Sequence, residues 1–145
     1  MCRRRTGREP VYIMKISTKA QYGLRALAYL ANYPGKVCPI KEIAVAENIS
    51  PDYLEKIVSR LEKGGFLSAK KGKSGGYTLA KMPGKIRLGD LIGVLEGRKT
   101  LVKCLDGKCP KCRGCVSKNV WETVQARLDL MLNKITLQNI IEKKV

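Results

Sequence analysis

Cys104, Cys109, Cys112 and Cys115 stand within twelve residues of a chain that contains no histidine. In a reduced compartment, thiolates packed this closely are more often ligands than disulfide staples, because several can close on one soft metal without straining the backbone. The run Cys109-Pro110-Lys111-Cys112-Arg113-Gly114-Cys115 repeats a two-residue spacing that lets successive thiolates bite one metal or cluster, and Pro110 and Gly114 supply the turns. Lys103, Lys108, Lys111 and Arg113 surround the thiols and compensate an anionic site. Four readings follow: an iron–sulfur cluster (2Fe-2S or 4Fe-4S), a four-thiolate zinc site, a dithiol redox switch, or cysteines without a role.

Whatever binds there must be carried by a small scaffold. At 145 residues the chain can bury one good core, or one small domain plus a helical arm that needs a partner chain. Lys and Arg outnumber Asp and Glu by 29 to 12, giving a formal net charge of +17. Between Arg60 and Arg87, six lysines face a single acid, Glu62. Such a field attracts a polyanion and releases its counterions. A membrane surface is the competing polyanion, but no apolar run is long enough to span a bilayer, and no apolar segment follows Cys2-Arg3-Arg4-Arg5 to make a secretory signal. The expectation is a cytoplasmic protein without a membrane partner. Residues 1–13 read as a disordered basic extension or a mis-called start, since Met14-Lys15-Ile16-Ser17-Thr18-Lys19 looks like a natural beginning.

The elements that hold the cysteines follow from periodicity and caps. Ala20, Leu24, Leu27, Ala28 and Ala31 form a helical stripe over 18–31, capped by Ser17 or Thr18 and ended by Pro34-Gly35. A second helix fits 40–47, after which Asn48 can adopt the left-handed conformation and Ile49 can fill the corner. Ser50-Pro51 opens a third, because a Ser cap followed by Pro at the first helical position satisfies and presets the first turn. Its buried face is Leu54, Ile57, Val58 and Leu61, and Gly64-Gly65 stops it. A hairpin over 66–79 has a basic, glycine-rich tip at 72–76. Beyond a link at 83–97 that includes a short helix, residues 98–115 form the cysteine loop. One long helix is expected over 116–144, with a seam of Trp121, Val124, Leu128, Met131 and Ile135 that suits packing along a second subunit. The fold class is therefore mainly α with a small β-hairpin: a winged helix-turn-helix domain over 14–82 and a C-terminal dimerisation helix in 116–145.

Two helices joined by a tight turn, followed by a basic hairpin, constitute a DNA reader: helix in the major groove, wing lysines on phosphates or in the minor groove. Residues 72–76 also invite a phosphate-loop reading. They lack the Gly-x-x-x-x-Gly-Lys-Ser/Thr spacing and lead into a strand instead of a helix, which excludes it.

Taken together, Ser17-Thr18-Lys19-Ala20-Gln21-Tyr22-Gly23, the run from Ile49 to Ile57, the run from Arg60 to Leu67, and Gly75-Gly76-Tyr77 resemble the bacterial winged-helix regulators of the IscR, NsrR and CymR type. The likeness covers nearly all of the chain from Met14. It implies a homodimeric transcription factor, usually a repressor, on a palindromic double-stranded DNA operator. By the same resemblance, Asp52, Tyr53 and Glu55 read bases or bond nearby backbone, Ser50 lies near phosphates, and Arg60, Lys70, Lys71, Lys73 and Ser74 contact backbone or minor groove. Where family members carry arginine, Lys71 supplies charge without a planar fork. The family's three cluster cysteines correspond to Cys104, to Cys109 or Cys112, and to Cys115. Lys118 stands where a histidine ligand occurs in the family. A protonated lysine cannot ligate, so the fourth ligand is the extra cysteine, an acid from elsewhere in the dimer, or an outside molecule.

Two functional classes compete with this one. A thiol oxidoreductase using Cys109 and Cys112 lacks a βαβ context, a histidine and paired carboxylates, so an enzyme is not expected. A cluster-free or zinc-binding regulator of the same fold, controlling sulfur metabolism, is the nearer alternative.

Overall fold

Helix α1 (Thr18–Ala31) begins where the extended Ser17 turns its hydroxyl to accept from the Ala20 amide. In the computed structural model, which describes residues 15–97, 100–107, 109–110 and 113–145, the buried line of α1 runs through Ala20, Gly23, Ala26, Leu27 and Leu30. Leu24, Ala28 and Ala31, expected in that stripe, pack only half-buried beside it. The shift has a cause at Gly23, where an added Cβ would collide with the Leu95 side chain. Helix α4 (Leu88–Glu96) crosses there, with the end of the Leu95 side chain laid directly on the Gly23 backbone.

Helix α2 (Ile40–Glu47) ends as expected, with Asn48 left-handed at φ 53°, ψ 51°, and Ile49 buried at the corner. Helix α3 (Pro51–Lys63) carries Ser50 as its cap and buries Leu54, Ile57, Val58 and Leu61, the face read from its spacing. The wing is an antiparallel pair, β1 (Leu67–Lys70) with β2 (Gly76–Leu79), in the register Leu67 opposite Leu79 and Lys70 opposite Gly76. Cys38 adds a short third edge, exchanging backbone hydrogen bonds of 3.0 and 2.9 Å with Tyr77. The approach is so close that a Cβ on Gly76 would strike the Cys38 carbonyl. This pairing joins residues far apart in sequence and has no local pattern to announce it.

The structure corrects two expectations. Residues 83–97 hold the expected short helix, α4, closed by Gly97, but they do more than link: Leu91 and Leu95 are fully buried with α1 and α3, behind a 3-10 turn at Pro83–Lys85. The single long helix over 116–144 is also two. Helix α5 (Val116–Lys134) stops at Ile135, which is extended, and α6 (Leu137–Ile141) starts behind Thr136. The Thr136 side chain caps the Asn139 amide while the Asn139 side chain returns to the Thr136 amide, a reciprocal capping box that nucleates a new helix. Leu88 N–H donates to Ile135 and Leu137 N–H to Ile86, so the C-terminal segment folds back along the core, where Leu137 is buried. The seam therefore ends before Ile135.

A surface cluster locks α1 to α2. Tyr29 Oη and Lys36 Nζ both donate to Glu42 Oε1, at 2.8 and 2.6 Å. The Tyr29 hydroxyl, bonded to Glu42, is pushed up to about 12, and the Glu42 carboxyl is held below the usual carboxylate range, by Lys36 first and Tyr29 second. A depressed carboxyl stabilises the fold above its ordinary titration range, and that contribution disappears as pH falls through the lowered value. A raised tyrosine acts in the opposite sense, its contribution being lost as pH climbs from about 10 toward 12. We expect Glu42→Gln, which cannot hold Lys36 by charge, to flatten a Tm-against-pH profile on the acid side, below the ordinary carboxyl value of 4.5, and to leave its shape between there and pH 7 unchanged. Superimposable profiles would show that the cluster carries no linkage.

Candidate nucleic-acid interface and cysteine loop

On α3 the buried residues define one side, and a helical turn of about 100° per residue puts Asp52, Lys56, Ser59 and Lys63 along the opposite line. Ser50, Asp52, Tyr53 and Glu55 are all exposed at its opening turns, as the sequence reading requires. The Ser50 hydroxyl is also the cap, accepting from the Tyr53 amide at 3.4 Å. Tyr53 is held edge-on against Tyr22 of α1, ring centroids 5.9 Å apart, and Arg25 lies over Tyr22 at 5.4 Å while its guanidinium pairs with Glu47 at 2.9 Å. Exposed Tyr53 is thus oriented by a chain of contacts across all three helices. Lys56 follows Asp52 by one turn on this outward line and is exposed.

Lys70, Lys71, Lys73 and Ser74 are exposed together on the wing tip. The tip is tightened by Gly75 N–H donating to Gly72, at 3.0 Å, with Gly72 at φ +114°. Lys81 at the base lies 5.0 Å from the Phe66 ring. Arg60 behaves differently from the other expected contacts. Its guanidinium donates to the Leu95 carbonyl of α4 at 3.3 Å.

The loop between α4 and α5 leaves at Gly97, which has φ +80°. It is tied down on its far side, where Leu101 N–H donates to Gln125 Oε1 of α5 at 2.8 Å and Thr100 Oγ1 to Asp106 at 2.5 Å. Cys104 lies in a 3-10 turn, Lys103–Asp106, and is half-buried like Cys109 and Cys115. Cys115 is the cap residue of α5, with Sγ 3.0 Å from Ser117 Oγ. Its thiol is pulled below the usual range by the Ser117 hydroxyl, then by the amides of Lys118 and Ser117, with a smaller contribution from the Lys118 charge. Lys118 also pairs with Glu122 at 3.5 Å. Cys112 lies outside the described residues, and among those described no three cysteines or acids are gathered into one ligand group. Cys38 is buried under the wing edge, where burial pushes its thiol up.

The model of the Rrf2 family, described as an iron-dependent transcriptional regulator, matches residues 16–143. The chain belongs to the Rrf2 family of transcriptional regulators. It is 33% identical over 132 residues to protein rrf2 of Nitratidesulfovibrio vulgaris, covering 88% of this chain and 87% of that one. Among solved structures it is similar to CymR, the global cysteine regulator of Bacillus subtilis, with 34% identity, a TM-score of 0.74 and coverage of 90% of this chain and 98% of that chain. It is equally similar to the IscR of T. potens, with 34% identity, a TM-score of 0.73 and coverage of 91% and 89%. The Rrf2 chain is a transcription regulator and not an enzyme, and its winged-helix fold is that of these relatives. Regulators of this family bind DNA and typically act as dimers. Among the described residues no helix is long and apolar enough to cross a membrane.

Proposed function

We propose that this Rrf2 protein is a homodimeric repressor that reads a palindromic double-stranded operator with the opening of α3 and the wing, under the control of an iron–sulfur cluster held by the cysteine loop. One observation supports the whole reading. The loop carrying the cysteines connects α4, packed against the back of the recognition helix, to α5, whose Val116, Val120 and Met131 share an exposed apolar line, 82%, 53% and 50% accessible. A protomer leaving such a line in water is stabilised by a second copy, and the loop then stands between the reader and the dimer contact.

The donor chemistry fits a soft metal group: the donors are thiols, the three described, Cys104, Cys109 and Cys115, are half-buried, and Cys115 at a helix opening has a lowered pKa. Cys104, Cys109, Cys112 and Cys115 would hold the group, and when bound an iron–sulfur cluster supplies a centre that responds to oxidation state. The chain's own residues do the rest. Gln125 fixes the loop to α5, Ser117 and the α5 amides keep Cys115 ready to ligate, and α3 and the wing present Asp52, Tyr53, Glu55, Lys56, Lys70, Lys71, Lys73 and Ser74 to the duplex. Half-sites lie about one helical turn apart, so a loop state that shifts the two recognition helices relative to one another alters operator fit.

Protein purified without oxygen should contain iron and acid-labile sulfide, which Cys104→Ala/Cys115→Ala loses, and should prefer its own promoter to random duplex by about 10³-fold or more. Protein that holds no iron and no promoter preference overturns the reading. The similarity to the cysteine regulator CymR favours a second possibility, a cluster-free or zinc-binding regulator of sulfur metabolism. Metal-free or zinc-loaded protein with intact promoter preference would decide for it.

A further inference from the structure

We propose that Arg60 is a positioning residue that couples the cysteine loop to the recognition helix. The proposal rests on the reading above and departs from the sequence expectation, which placed Arg60 on DNA. Arg60 belongs to the last turn of α3, yet its guanidinium reaches back to donate to the carbonyl of Leu95 in the last turn of α4, two residues before the chain turns at Gly97 into the cysteine loop. The last turn of a helix leaves carbonyls without an intrahelical donor, and a cation there also meets the negative end of the helix dipole. Arg60 thus completes the end of one helix from the body of another.

The end of α4 is held from two further directions. Ser17 N–H, at the opening of α1, donates to Glu96 Oε1 at 2.8 Å. The Leu95 side chain is wedged where Gly23 leaves no Cβ. The turn that launches the loop is therefore fastened to α1 by packing and by Glu96, and to α3 through Arg60. A loop state that winds, frays or rotates this turn moves the Leu95 carbonyl, and Arg60 transmits that movement to α3.

A double-mutant cycle on the full chain tests this, with operator affinity measured by titration at several salt concentrations. In the wild-type background, Cys104→Ala/Cys115→Ala should change operator affinity by about tenfold or more, within the usual span of coupling between sites. In an Arg60→Ala background the same cysteine change should move affinity by less than about twofold, with the salt slope retained. Arg60→Lys, which keeps a cationic donor for the Leu95 carbonyl, should restore much of the coupling, and melting curves establish that each variant is folded. If the cysteine effect persists undiminished in Arg60→Ala, the inference fails while the proposed function stands. If Arg60→Ala instead weakens both loop states equally and lowers the salt slope by about 1, Arg60 is a phosphate contact and the inference fails. If the cysteine change does nothing in the wild-type background, the sensing role of the loop and the coupling fail together.

Discussion

Leu137→Ala is expected to lower the free energy of unfolding by about 3 kcal/mol, although the residue lies only eight positions before the last one, Val145. Leu137 is 1% exposed and joins the same cluster as Leu27, Ile86 and Leu91. Its removal deletes buried methyl groups and leaves a cavity that a structure pinned by the Leu88–Ile135 and Leu137–Ile86 backbone bonds closes only in part. Urea unfolding monitored by circular dichroism reads the loss as a lower midpoint at unchanged slope. Val145→Ala, at 78% exposed, is the control and should stay within about 0.5 kcal/mol. Protein concentration separates this effect from dimerisation. The Leu137 loss belongs to one protomer's core, whereas Met131→Ala, on the outward line of α5, should cost stability that depends on protein concentration. A Leu137→Ala loss below about 0.5 kcal/mol would mean that the C-terminal segment does not fold back on its own core.

That segment also shows where sequence is legible and where it is not. Caps are local, so Ser17 or Thr18 marks the start of α1, Asn48 the end of α2 and Ser50-Pro51 the start of α3, and the structure selects Ser17 as the first cap. The 3-4 spacing from Trp121 onward carries smoothly past Lys134, because Ile135 and Leu137 are apolar in either arrangement. The Thr136–Asn139 box was the available signal of a break, and periodicity outweighed it. The expected link at 83–97 errs for the converse reason: the turn residues Pro83 and Gly84 conceal the fact that Leu91 and Leu95 rejoin the core. Cys38 against Tyr77 and Arg60 against Leu95 pair residues about 35 or more apart, and no local pattern reports such contacts. For the candidate site, types and spacing found the reader and the thiols. Lys56 was legible by the same means, since it lies opposite the face of Leu54, Ile57, Val58 and Leu61 that spacing alone gives.

The wing offers a second large effect. Lys70, Lys71 and Lys73 are exposed together and lack acidic neighbours on the hairpin, so replacing all three by alanine leaves the fold within about 0.5 kcal/mol of wild type. If each lysine neutralises one phosphate, binding releases about 0.9 counterion per contact, and the triple variant should show a log K against log salt slope shallower by about 2.7. Extrapolated from 1 M to about 0.1 M salt, that difference is about 500-fold in affinity. The loss should fall equally on operator and random duplex, because phosphate contacts carry no base information. Glu55→Ala should do the reverse: the salt slope stays, while discrimination at one base pair falls by about 1–3 kcal/mol as the acceptor for a cytosine amino group disappears. Lys71→Arg adds a planar fork, so a gain confined to particular sequences would mean that the wing tip reads the minor groove, whereas a uniform gain would keep it on the backbone. An unchanged slope in the triple variant would remove the wing from the interface altogether, leaving α3, with Lys56 and Lys63 on its outward line, to hold the duplex.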